Sequence, residues 1–282
     1  MDTCNKISIL AKRTGYELAV VGIPKTIDND LAYTDHCPGY GSAARFIARN
    51  TYDLWMEVQA MPLYVTIMET MGRNAGWLTA AASIPRYNDK PCAQLLYLPE
   101  VVFQKEKFLA DVDNLLRKQK EILIVVSEGL RDASGEMIAS QNYVDGFGHK
   151  LAGGSAQALC EMITQDLHYS ARAERGGFLG RASMVLQSAQ DREEAIAVGK
   201  RAVQLALNGT TGVMVSIVRD GDSPYRYSLG TAELAKVANV EKKLPAEYIV
   251  PEGNNVVDAF CTYATPLIGE SFPDYANIRR AV

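Results

Sequence analysis

The sequence predicts an α/β fold with mainly parallel sheets. Three observations carry that prediction. Short apolar runs rich in Val, Ile and Leu alternate with helical segments of roughly 10–20 residues. Several runs are continuous rather than alternating, as in strands covered on both faces. Three clusters of charged and polar residues each follow directly on such a run. In α/β folds that position, beyond the carboxyl end of a strand, is where ligands sit.

In chain order, a helix is expected over residues 2–14 and a strand at 17–23, "ELAVVGI". A long helix over 41–60 leads to the strand "LYVTIME" at 63–69. Gly72 and Gly76 bracket Arg73 where that strand turns into an alanine-rich helix over 74–84. The strand "AQLLYLP" (93–99), a helix over 105–119 and the strand "EILIVVSEG" (121–129) follow. "GHKLAGGSAQAL" lacks the GxxxxGK[ST] spacing of a phosphate loop and reads as a turn entering a helix over 149–168. The helix over 191–207 has the clearest ends: Asp191 can cap it, Glu194 stands three residues later, and Asn208-Gly209 stops it. The strand "GVMVSIV" covers 212–218. No internal repeat or low-complexity tract interrupts the pattern.

The 282 residues are 48% hydrophobic and 22% charged, a globular composition able to bury a core. No run approaches the ~18 apolar residues of a membrane span. The opening "MDTCNKISIL" lacks the basic flank and apolar core of a signal peptide. A formal charge of −4 argues against nonspecific nucleic-acid binding, yet leaves room for a local cationic pocket. The five cysteines, Cys4, Cys37, Cys92, Cys160 and Cys261, are scattered. They have no zinc-like spacing, and His36, His149 and His168 add none. A reduced, cytoplasmic setting is expected.

The first cluster is "PKTIDND". Phosphoryl transfer to an alcohol needs an acceptor for the hydroxyl proton and cations around the phosphoryl oxygens. Asp28 could be the base, Lys25 the cation, Thr26 a hydroxyl contact, and Asp30 an orienting or metal-binding carboxylate. A solvated polar turn accounts for each residue taken singly. In the second cluster, "METMGRNAGW", a helix N-terminus reinforced by Arg73 could attract an anion. Taken alone, a plain strand-to-helix turn with a surface arginine is the favoured account of it. The third, "VVSEGLRD", offers Glu128 as an acceptor for sugar hydroxyls, or merely as a loop carboxylate. A fourth, "SARAERGGFLGR", groups Arg172, Arg175 and Arg181, either as a sugar-phosphate clamp or as a solvated basic loop. Trp55, Trp77 and the tyrosines read as packing residues.

Taken together, "GIPKTIDNDL", "PGYGSAARFIA", "METMGRNAGWLTAAA", "VSEG", "DGFGHKLAGGSAQAL" and "DREEAIAVGKRAV" resemble the 6-phosphofructokinase family, most of all its pyrophosphate-dependent branch. The pieces run in the family's order and cover nearly the whole chain. The resemblance implies two Rossmann-like three-layer αβα lobes with mainly parallel sheets. It implies residues 1–40 as part of a phosphate-donor lobe, 41–180 as a sugar-phosphate lobe and 181–282 as elements completing both. The implied reaction belongs to glycolysis: a phosphoryl group passes from pyrophosphate to the 1-hydroxyl of fructose 6-phosphate, giving fructose 1,6-bisphosphate, with Mg2+ as cofactor. A homo-oligomer, dimer or tetramer, is implied, without nucleic-acid or membrane partners.

By the same resemblance Asp28 matches the general base, and Thr26, Ile27 and Asp30 share its turn. Met71, Gly72 and Arg73 match a sugar-phosphate segment, with Arg73 near the transferred group. Glu128 matches a carboxylate that holds sugar hydroxyls. Arg172 and Arg181 match two 6-phosphate arginines, with Phe178 between them. Lys25 stands where many ATP-using members have glycine and pyrophosphate-using members have lysine. The sequence departs from the pattern at Gly180, where the family has glutamine, at Phe178, where the ATP-using branch has a polar residue, and at Tyr64, where that branch has an intersubunit arginine. The family's "GGD" phosphate loops are not in this sequence. Those loops hold the main metal ligand and the residue that discriminates the donor, and their place in the pattern is upstream of Met1. The first lobe is therefore expected to be incomplete, with the helix 2–14 and the strand 17–23 short of sheet neighbours. Two alternatives follow, an ATP-dependent 6-phosphofructokinase or a noncatalytic sugar-phosphate-binding regulatory subunit.

Overall fold

The computed structural model describes residues 1–61, 64–144 and 150–276. The chain opens with α1 (Asp2–Thr14), the short β1 (Val21–Gly22), α2 (Tyr40–Ala60), β2 (Val65–Thr70) and α3 (Trp77–Ala80). A small hairpin, β3 (Arg86–Tyr87) and β4 (Lys90–Pro91), precedes β5 (Leu95–Tyr97), α4 (Lys105–Leu116) and β6 (Ile122–Ser127). Then come β7 (Ser140–Val144), β8 (Lys150–Ala152), α5 (Ser155–Asp166) and β9 (Ala171–Arg175). The chain continues with α6 (Ala189–Leu207), β10 (Val213–Asp222), β11 (Tyr225–Glu233), α7 (Leu234–Val237) and α8 (Asp258–Ile268).

The central sheet is parallel, in the order β5-β6-β2-β9. Every residue of β2 and of β6 is buried, which explains why both read as uninterrupted apolar runs. Side chains alternate between faces. Val65, Ile67, Ile122, Ile124 and Val126 pack with Phe108 and Val112 of α4 and with Leu159 and Ile163 of α5. Met68 and Val125 face the other way, onto Ala44, Ile47 and Ala48 of α2 and Phe260 and Leu267 of α8. The result is three layers, helix on sheet on helix. A second sheet, β1-β10-β11, pairs β1 in parallel with β10 and β10 antiparallel with β11. Met1 packs against this second sheet, in a small apolar cluster with Cys4, Val20, Met214, Leu234 and Val237.

Several expectations are corrected. The strand foreseen at 17–23 is ordered as β only at Val21–Gly22, paired to Val213 and Met214. The helix foreseen over 74–84 starts at Trp77, because residues 71–76 are spent on a loop, and tightens to a 3₁₀ turn at Ala81–Ser83 ahead of Pro85, which has no N–H to continue the ladder. The helix foreseen from 149 begins at Ser155, after Gly153 and Gly154 at φ 131° and 97°, while His149 lies outside the described residues. The basic segment 170–181 contains β9, an edge strand whose charged residues carry no apolar signal. Asp191 does not cap α6. Ser188 does, its Oγ accepting from the Asp191 N–H at 3.3 Å.

Candidate active site

The turn after β1 is shaped by its own side chains and by two distant segments. The Thr26 Oγ1 accepts from the Asp28 N–H at 3.1 Å, a local turn of the kind Thr favours. Thr26 also forms a β-bridge with Gly39. Asn29 is fully buried at φ 55°, a left-handed conformation that Asn tolerates better than most residues. Asp191, freed from capping its own helix, reaches the start of α2 instead. Its Oδ1 accepts from the Gly39 N–H at 2.8 Å and its Oδ2 from the Ser42 N–H at 3.1 Å and from the Ser42 hydroxyl.

The second loop follows β2, and the third follows β6. Because β2 and β6 are in register up to Thr70 and Ser127, their ends lie side by side. Two hydrogen bonds then join the loops. The Ser127 hydroxyl donates to the Gly72 carbonyl at 2.6 Å, and the Gly72 N–H donates to Glu128 Oε1 at 3.4 Å. Gly72 sits at φ 119°, and a Cβ there would meet the Ala75 carbonyl oxygen at 2.6 Å. Glycine is therefore required both for the conformation and for the space.

These loops enclose a cleft of about 280 Å³ lined by Asp28, Asp30, Met71, Arg73, Glu128 and Glu241, among others. All of these but Glu241 were proposed from sequence. Burial pushes the Asp28 carboxyl up to about 6, helped by the negative charges of Asp30 and Glu128 and opposed by Lys25. Its Oδ1 is buried without a hydrogen-bond partner. Burial likewise raises Glu128. A buried carboxylate oxygen with no donor is costly unless a ligand supplies one. The arrangement can take a proton from a hydroxyl at Asp28 and accept hydrogen bonds at Glu128, with a guanidinium alongside.

Other candidates lie elsewhere. Lys25 and Arg181 line a separate cavity of about 690 Å³ together with Ser42 and Arg192. Ile27, a buried member of the core, also lines that cavity. Phe178 is exposed, with the Arg181 guanidinium 4.6 Å from its ring centre. Arg172 lines neither cavity and pairs with Glu174 at 2.5 Å. Arg175 pairs with Glu69 at 3.1 Å, and Glu69 in turn accepts from the Gly154 and Ala156 N–H groups at the start of α5. The three arginines do not converge here, because Arg172 and Arg175 are three apart on one strand and so point to opposite faces.

Sequence reasoning missed Glu241, which accepts from Asn74 Nδ2 at 2.9 Å and whose backbone bridges Leu31. No local motif marks it; the signal exists only in the folded chain. Among the described residues no three Asp, Glu, His or Cys side chains converge as a metal cage. The cleft still offers hard carboxylate oxygens. Mg2+ characteristically takes only one or two of these and completes its shell with water and phosphate oxygens.

A family model described as Phosphofructokinase matches residues 1–206. The pyrophosphate--fructose 6-phosphate 1-phosphotransferase of Methylococcus capsulatus is 43% identical over 280 residues, covering 98% of this chain and 67% of that protein. The enzyme of the same name from Halomonas elongata is 39% identical over 280 residues, with the same two shares. The crystal structure of the pyrophosphate-dependent phosphofructokinase from Marinobacter aquaeolei superposes with a TM-score of 0.84 at 39% identity, covering 98% of this chain and 67% of that one. The chain thus spans about two thirds of the length of these relatives.

Proposed function

The chain belongs to the phosphofructokinase family, and from that premise we propose that it transfers a phosphoryl group from pyrophosphate to the 1-hydroxyl of fructose 6-phosphate. The observation that carries this reading is the buried, unpartnered Asp28 Oδ1 in a cleft shared with Arg73 and Glu128. With its pKa near 6, Asp28 is mostly ionised at neutral pH and close to the optimum for a general base. In this proposal Asp28 takes the proton of the attacking hydroxyl. Arg73 lies where charge builds on the transferred group, Glu128 accepts from the sugar hydroxyls, and Met71 and Gly72 shape the floor. Asp30 orients the turn, and together with substrate phosphates would hold a magnesium ion, whose chemistry is to neutralise phosphoryl oxygens.

Lys25, with Arg181, is proposed to hold phosphate in the larger cavity, and its charge still reaches Asp28. Phe178, Leu179, Met184 and Val185 are exposed beside Arg181. Such an apolar patch beside a binding residue favours a second copy of the chain as its cover, so a homo-oligomer is part of the proposal. A cytoplasmic setting is also part of it, in keeping with five free cysteines. No helix among the described residues is long and apolar enough to cross a membrane. The decisive experiment is a coupled assay of fructose 1,6-bisphosphate formation with pyrophosphate and with ATP as separate donors, alongside Asp28→Asn. Pyrophosphate-driven product that disappears in the variant is expected; ATP-driven product alone would overturn the donor assignment.

A further inference from the structure

Asn29 lies between the two carboxylates of the proposed catalytic turn, and something must hold it fully buried at φ 55°. Three groups do. Its Nδ2 donates to the Tyr263 hydroxyl at 3.2 Å. Its Oδ1 accepts from the Cys37 N–H at 3.1 Å and from Lys242 Nζ at 3.4 Å. Lys242 does more than this. Its ammonium also donates to the carbonyls of Thr34 at 3.2 Å and Asp35 at 2.6 Å. Its backbone N–H donates to the Asp30 carbonyl at 2.6 Å. An ammonium has three hydrogens, and here three acceptors from the single stretch 29–35 receive them. The lysine stem crosses Trp77, with Nζ 5.0 Å from the ring centre. None of the three acceptors is a carboxylate side chain, so the half-buried ammonium of Lys242 is committed to this loop. An apolar side chain of equal length would brace Trp77 as well, but would take the ammonium from the Thr34 carbonyl and leave Asn29 Oδ1 with the Cys37 N–H alone and the Asp35 carbonyl with the Tyr263 hydroxyl alone.

We infer that Lys242 is the positioning residue of the catalytic turn, acting through Asn29 to hold Asp28 in place against the substrate hydroxyl. The inference rests on Asp28 being the general base. Displacing a reacting group by about an ångström typically costs around 10² in rate, which is the loss expected here. Lys242 touches neither the cleft nor the larger phosphate cavity, so the loss belongs in turnover and not in sugar-phosphate affinity. Lys242 instead borders an open cavity of about 590 Å³ on its far side, walled by Trp77, Tyr248 and Tyr263. A small amine can enter there.

The test is steady-state kinetics of Lys242→Met, which keeps the stem and removes the ammonium. Turnover should fall about 10²-fold while the KM for fructose 6-phosphate stays within roughly threefold. In an Asp28→Asn background the same substitution should cost less than about twofold, because the two residues act as one unit. Lys242→Ala should recover part of its turnover with ethylammonium and none with tetramethylammonium, which cannot donate. Turnover of Lys242→Met within about threefold of the parent overturns the inference. So does an equal loss in both backgrounds, or an alanine variant that ethylammonium does not help. If Lys242→Met fails to fold, the amine series on the alanine variant decides. Asp28→Asn with undiminished turnover overturns the base assignment itself, and with it the route through Asn29.

Discussion

A Cβ on Gly129 would overlap the carbonyl oxygen of Arg73. No side chain fits that space, so the loops after β2 and β6 touch backbone to backbone. The contact is what brings Arg73 and Glu128 to one cleft. Gly129→Ala must push the loops apart, and overpacking of this kind typically costs about 1–3 kcal/mol. The expected outcome is a modest fall in melting temperature with a much larger fall in kcat/KM, around 10²-fold. Thermal melts and coupled kinetics on the same preparation check it; kinetics unchanged in a folded variant would show that the two loops need not meet.

Asp28→Asn should lower turnover by about 10²–10⁴ with little change in sugar-phosphate affinity, as loss of a general base does. In the parent protein, kcat/KM should fall about tenfold per pH unit below about 6, where Asp28 protonates. Stability moves the other way. A carboxyl raised in the folded state contributes stability that is full below its unfolded pKa and lost as pH climbs through about 6. The ionised Asp28 therefore destabilises the fold at neutral pH, by up to about 3 kcal/mol. The Asp28→Asn variant should be more resistant to urea than its parent at pH ~8, and the gain should vanish near pH ~4. A urea series at the two pH values reads it directly.

Lys25→Gly should reduce pyrophosphate turnover by roughly 10²–10³, the usual cost of one preorganised donor to developing charge. Fructose 6-phosphate affinity should change much less. Steady-state kinetics with each donor at saturating sugar phosphate is the measurement. Survival of pyrophosphate turnover within about threefold would remove Lys25 from the donor site.

His36 is buried with Nδ1 2.7 Å from Asp35 Oδ2 and Nε2 2.5 Å from Glu194 Oε2. The burial would lower its pKa, but hydrogen bonds to the two carboxylates raise it above the ordinary value. Its stabilisation is therefore present in full below the unfolded pKa and is lost as pH rises through the folded one. Asp35 and Glu194, both lowered, contribute above their unfolded values and fail as pH falls. His36→Gln should cost about 3–5 kcal/mol near neutral pH, as removing one partner of a buried ionic group does. Urea midpoints across pH should show the parent losing stability on the alkaline side of the His36 titration, and the variant lacking that limb.

Much of this protein was legible in its sequence for local reasons. α1, α2 and α6 were foreseen within a few residues, because helical periodicity and an Asn-Gly stop are properties of neighbouring residues. β2 and β6 were foreseen because strands buried on both faces need continuous apolar runs. Asp28, Asp30, Met71, Arg73 and Glu128 were brought to one cleft; Met71, Arg73 and Glu128 sit just past the ends of β2 and β6, which one parallel sheet aligns, while Asp28 and Asp30 follow β1 of the second sheet. Other features depended on partners far along the chain. β9 is polar, and only its place at the sheet edge makes it a strand. Asp191 looked like the cap of α6, but it serves α2, since the cap it satisfies depends on which helix packs beside it. Lys25 and Asp28 are three residues apart in sequence yet line different cavities once the chain is folded. Glu241 and Lys242 carry no motif at all. Their hydrogen bonds to the first and second loops exist only once the second sheet has folded back on the catalytic turn, and hydrogen-bond partners are chosen by packing, not by sequence neighbourhood.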